Sequence, residues 1–97
     1  MDEKERKIND YLDSYGIPHS TNGYCFLNEA IKGMLENGPT TKLQHLYYKI
    51  GNRCGITGAC VVSSIRYSIS HSEKAKGIKV REFIKDGVKY AKTNHLG

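Results

Sequence analysis

The apolar residues of this chain are spaced three and four apart rather than in alternation. That spacing lines one face of an α-helix, so it limits the fold before anything else does. Ile8, Tyr11, Leu12 and Tyr15 form the first stripe, which "GIPHSTNG" then breaks, with Gly16 as a stop and Pro18 barring continuation. Phe26, Leu27, Ala30, Ile31, Met34 and Leu35 carry a second helix, closed by "ENGP". A third spans about 42–53 on Leu43, Leu46, Tyr47 and Ile50, and a fourth about 58–71 on Val61, Ile65 and Ile69. The last, about 80–92, bears Val80, Phe83, Ile84, Val88 and Ala91. Nothing requires a strand, and the stripes are expected to form the core. The expected fold is all-α, about five helices.

With 97 residues the chain has room for a single domain, 1–97. No apolar run approaches the roughly 18 residues needed to span a membrane. The opening "MDEKERKIND" lacks the apolar segment of a secretory signal, so a cytoplasmic protein is expected. Three cysteines, Cys25, Cys54 and Cys60, are an odd number at irregular spacing, which argues against a disulfide framework. They are expected to be free, buried thiols acting as small apolar residues. Paired ligands of the C-x-x-C type are missing, so neither a metal site nor a cofactor is expected. Charge is uneven: residues 1–22 carry a net −2, 23–65 a net +2 and 66–97 a net +5. A basic last third suits a polyanion surface, though a solvated lysine face would look the same.

The stretch "YKIGNRCGITGACVVSSIRYSISHS", 48–72, decides between a phosphate or metal loop and a bend between two helices. A helix-turn-helix needs a small residue where the helices meet, apolar residues at the corner, a residue tolerant of positive φ, and a cap. Gly51 supplies the first, and Ile50, Cys54, Ile56 and Val61 the second. Gly55 and Thr57 supply the third and fourth. A phosphate loop would need a strand and G-x-x-x-x-G-K-[ST], and a redox site would need Cys-x-x-Cys. No base for a thiol nucleophile is identified either, so an enzyme is not expected.

At 100° per residue, Val61, Ile65, Ser68 and Ile69 fall on the inner side of the second helix of this pair. Ala59, Ser63, Arg66, Tyr67, Ser70 and Lys74 lie opposite. If that face enters the major groove, Arg66, Ser63 and Ala59 meet base edges, and Arg66 alone can bond guanine with two donors. Thr57, Tyr67, Ser70, Lys74 and Lys76 become candidates for the DNA backbone. Lys49, Arg53, Lys42, Lys79 and Arg81 are further ones.

Several stretches resemble the C-terminal DNA-binding domain of stage 0 sporulation protein A, the response regulator that starts endospore formation. They are "GIP" at 16–18, "GYCFLNEAI" at 23–31, "LYYKIG" at 46–51, "VVSSIRYSI" at 61–69 and "EFI" at 82–84. The resemblance implies a helical effector domain that binds short DNA boxes, often as tandem dimers, and contacts the RNA polymerase sigma subunit. It carries over to Arg66 the role of a recognition-helix arginine that contacts DNA. It also marks departures. Val62 and Ser63 stand where the family has a base-reading glutamate and arginine, Cys60 where it has a basic residue, and "KAKGIKV" replaces a longer connection.

The expected function is a small stand-alone regulator without the family's receiver, sequence-specific, bound to double-stranded DNA as a homodimer through its last helix. The alternative is a protein-interaction module on the same scaffold that has lost base readout and modulates a family regulator or RNA polymerase.

Overall fold

The computed structural model describes residues 3–38 and 40–92. Five helices follow one another: α1 (Glu3–Ser14), α2 (Asn22–Asn37), α3 (Leu43–Cys54), α4 (Gly58–Ser70) and α5 (Val80–Lys92). The described residues contain no strand. Each stripe read from the sequence turns inward. Ile8, Leu12, Leu27, Ile31, Val61, Ile65, Phe83 and Ile84 are fully or almost fully buried, while Tyr15, Leu35, Val80 and Val88 pack at the edge.

The long α2 touches all four other helices and is the centre of the packing. On one side it meets α4, through Gly23. A Cβ on Gly23 would run into the Ser64 carbonyl and the Ser68 side chain, so glycine is what lets the two helices approach this closely. On the other side α2 meets α1 and α5, where Gly87 leaves room for Ile31 and the Tyr11 ring. Tyr11 also donates its hydroxyl to the Phe83 carbonyl at 2.6 Å, fastening α1 to α5. Rings of Tyr11, Tyr15, Phe83 and Tyr90 cluster there with centroids 5.0–5.5 Å apart.

The fold departs from the sequence expectation at the cysteines. All three are free, as expected, but all three are exposed. Cys54 ends α3 on its outer side, and Ile56, in the turn, is also exposed. The corner of the bend is therefore closed by Ile50 and Val61 alone among the four residues named for it. The last helix, α5, expected to form the dimer surface, turns Phe83, Ile84, Gly87 and Ala91 into the domain's own core.

Candidate nucleic-acid interface

The turn between α3 and α4 is set by three residues. Gly51 has no room for a side chain, since a Cβ would lie 2.6 Å from the Ile56 carbonyl oxygen and 3.0 Å from Thr57 backbone atoms. The Gly51 carbonyl accepts from the N–H of both Gly55 and Ile56, the latter at 2.8 Å. Gly55 ends α3 at φ 76°, in the left-handed region where glycine carries no Cβ penalty. Thr57 then caps α4, its hydroxyl oxygen accepting from the Cys60 N–H at 3.1 Å. Its hydroxyl hydrogen stays available to another acceptor.

Helix α4 is held on its inner face by Val61, Ile65, Ser68 and Ile69, all buried. Ser68 is the polar member of that set, and it is satisfied. Thr21 donates its hydroxyl to the Pro18 carbonyl at 2.8 Å, which leaves the Ser68 hydroxyl to donate to Thr21 Oγ1 at 2.5 Å. The loop that delivers Thr21 is pinned in turn by His19, whose Nε2 lies 2.6 Å from Asp13 Oδ1 and whose ring stacks on Tyr24. Tyr24 donates to the same carboxylate oxygen at 3.0 Å. Burial, and after it this bond to Asp13, push the Tyr24 phenol well above its ordinary range.

The opposite face of α4 is open. Thr57, Ala59, Cys60, Ser63, Arg66, Tyr67 and Ser70 are exposed, as is Lys74 beyond it. The six outward residues assigned from the helical wheel all face solvent, and Cys60, left off that face in the sequence reading, joins them. Not all are equally available. Ser70 donates its hydroxyl to the Tyr67 carbonyl at 2.8 Å, so in this rotamer it has no hydrogen left for a phosphate. The Tyr67 ring lies against His71, centroids 4.0 Å apart and tilted by 36°, and stays exposed. Lys74 Nζ reaches the Ser14 carbonyl at 3.4 Å.

Two hollows flank the ridge of α4. One, of about 530 Å³, is polar and uncharged: Ser63, Ser64 and Tyr67 face Ser20, Thr21 and Asn22 at the start of α2. The other, of about 520 Å³, lies towards α3 and α5 and is lined by Arg66, Lys79 and Arg81 around Gln44, Tyr47 and Val80. Arg66 thus stands on one flank of the ridge and Ser63 on the other, while Ala59 lines neither hollow.

Two backbone candidates fall elsewhere, and a third is already paired. Lys49 and Arg53 line a separate groove between α2 and α3, with Glu29 and Glu36, and Arg53 is ion-paired with Glu29. Lys76 is paired with Glu73 at 3.1 Å. Spacing and composition alone cannot tell answered cations from unanswered ones. It also left unseen that Lys79 and Arg81 share a hollow with Arg66, because that hollow is assembled from three helices.

No helix among the described residues is long and apolar enough to cross a membrane. A family model described as sporulation initiation factor Spo0A C terminal matches residues 8–96. No curated protein and no solved structure matches the chain. That family is the DNA-binding, transcription-regulating part of a sporulation regulator, and a capped, outward-facing α4 on a helical scaffold agrees with it. The chain belongs to the family of Spo0A C-terminal domains.

Proposed function

We propose that the domain lays α4 in the major groove of double-stranded DNA and acts as a sequence-specific transcription regulator. The observation that carries this is the division of α4: an inner face locked into the core, and an exposed outer face that bears Arg66 and no carboxylate. Carboxylates there would be repelled by the phosphates, whereas Arg66 can give two donors to guanine. Ser63 and Ala59 are the neighbouring base contacts, one hydrogen-bonding to several bases and the other packing against a thymine methyl. Thr57, Tyr67 and Lys74 serve the backbone on the same side, with Lys76 once it leaves Glu73. Ser70 joins them only by giving up its bond to Tyr67. Lys49 and Arg53 drop out of this contact set because they line the α2–α3 groove.

One such module reads few base pairs, so a dimer on paired boxes is part of the proposal. With the apolar face of α5 occupied, the second copy meets an outer surface of that helix. The sigma subunit of RNA polymerase is the protein partner the family implies.

Selection of randomised duplexes by the purified protein tests this directly. A short enriched box is expected, with Arg66→Ala weakening binding to it by about 1–3 kcal/mol. Equal affinity of native and variant protein for that box would refute the groove assignment.

A second reading has its own support. Around α4, Tyr48 is 64% exposed, Tyr67 55% and Ile56 38%, an apolar content suited to a protein partner. If no box is enriched and binding is uniformly weak, the module that has lost base readout becomes the better account.

A further inference from the structure

The hollow lined by Arg66, Lys79 and Arg81 has a neighbour. A second hollow of about 420 Å³ shares Leu43, Gln44 and Arg81 with it and adds Lys42 and Lys85. Together they make an open strip across the start of α3 and the start of α5, lined by five cations and no carboxylate. Among the described residues none of the five is ion-paired, whereas Arg6 is answered by Glu3, Arg53 by Glu29 and Lys76 by Glu73. Tyr47 lines the same hollow as both guanidinium groups. Burial raises its phenol's pKa, while Arg81 and then Arg66 act against that rise.

Like charges gathered without a counter-charge repel one another, and an anion among them relieves the repulsion. The chemistry that fits is phosphate: guanidinium groups bond its oxygens in pairs, and the lysines add point charge. The shape is a strip rather than a closed cage, which suits a chain of phosphates better than one small ion. Its apolar floor of Tyr47, Val62 and Val80 can pack against sugar carbons. The strip also begins at Arg66, on the helix that is to enter the groove.

We propose that this strip is a phosphodiester seat, which holds the DNA backbone beside the box and extends the interface from α4 onto α5. It rests on the DNA-docking reading above. Lys79 and Arg81 then supply affinity without sequence preference, and they fix how α4 is set in the groove.

The test is the double variant Lys79→Gln with Arg81→Gln, both exposed and outside the core. Its control, Lys4→Gln with Lys49→Gln, loses the same charge from exposed positions away from the strip and from α5. Each protein is titrated with the enriched box and with an unrelated duplex over a range of salt. Loss of two phosphate contacts should weaken both duplexes in parallel and flatten the slope of log K against log salt by about 1.8. The control should keep close to the native slope. A variant that matches the control in affinity and slope overturns the seat. If no box is enriched, base reading alone fails, because the unrelated duplex still reports on the seat. Inorganic phosphate is titrated separately into the native protein, followed by amide NMR. Shifts at residues 79–81 that vanish in the variant, with duplex binding unchanged, would overturn the duplex assignment in favour of a free phosphorylated ligand.

Discussion

Gly51 shows how one missing carbon sets the geometry of the bend. Its Cα faces the backbone of Ile56 and Thr57, and an added Cβ would sit 2.6 Å from a carbonyl oxygen that has no side-chain freedom with which to retreat. Gly51→Ala should therefore cost about 1–3 kcal/mol, the range of overpacking in a close-packed interior. Urea unfolding followed by circular dichroism would measure this. Its DNA affinity should fall further than stability alone explains, since relief of the clash must tilt α4. The sequence made Gly51, Gly55 and Thr57 legible because each obeys a local rule of turn and cap. Cys54 and Ile56 misled because their apolar character says nothing about which side of a turn they occupy. Gly23 was the reverse case. It was visible as part of the "GYCFLNEAI" stretch, but its reason, close contact with Ser64 and Ser68, depends on a helix more than 40 residues away.

At the scale of elements, the helices divide into two working pairs joined by α2. α3 and α4 present the candidate interface, while α1 and α5 form a clasp, with Tyr11 bonded to the Phe83 carbonyl. Burial, then the nearby Tyr15 and Asp86, push the Tyr11 phenol far above its ordinary value. A raised pKa in the fold means that the protonated phenol is favoured there. Its contribution is complete below about pH 10, the unfolded value, and is lost as pH rises above it. Tyr47 acts in the same direction. Tyr11→Phe should lower stability at neutral pH by about 1 kcal/mol, for one buried hydrogen bond. It should also flatten the decline as pH rises above about 10. Thermal unfolding of both proteins across that range checks the sign, and a parallel decline would show that Tyr11 is not its source. Periodicity located all five helices, since each spans three or more turns with a clean apolar face. It could not say which surface of α5 is left for a second copy, because an apolar stripe does not show how much of the rest of a helix its neighbours cover.

Over the whole molecule, charge is sorted by surface rather than by position in the chain. The groove between α2 and α3 mixes Glu29 and Glu36 with Lys49 and Arg53, and the strip from α4 to α5 has cations alone. Sequence arithmetic found the basic last third but could not separate Lys49 and Arg53 from the other backbone candidates, since that requires the packing of α2 on α3. The exposed thiols make that sorting directly observable. Cys60 points outward from the first turns of α4, and Cys25 lines the α2–α3 groove. Each can carry a maleimide fluorophore once the other two cysteines are changed to serine. A dye on Cys60 should change emission when duplex is added and hinder binding by its own bulk. The same dye on Cys25 should report nothing and leave affinity intact. The reverse pattern would mean that the duplex meets the other side of the molecule. Cys60 thus gives this domain a native attachment point for a spectroscopic reporter on the very surface in question.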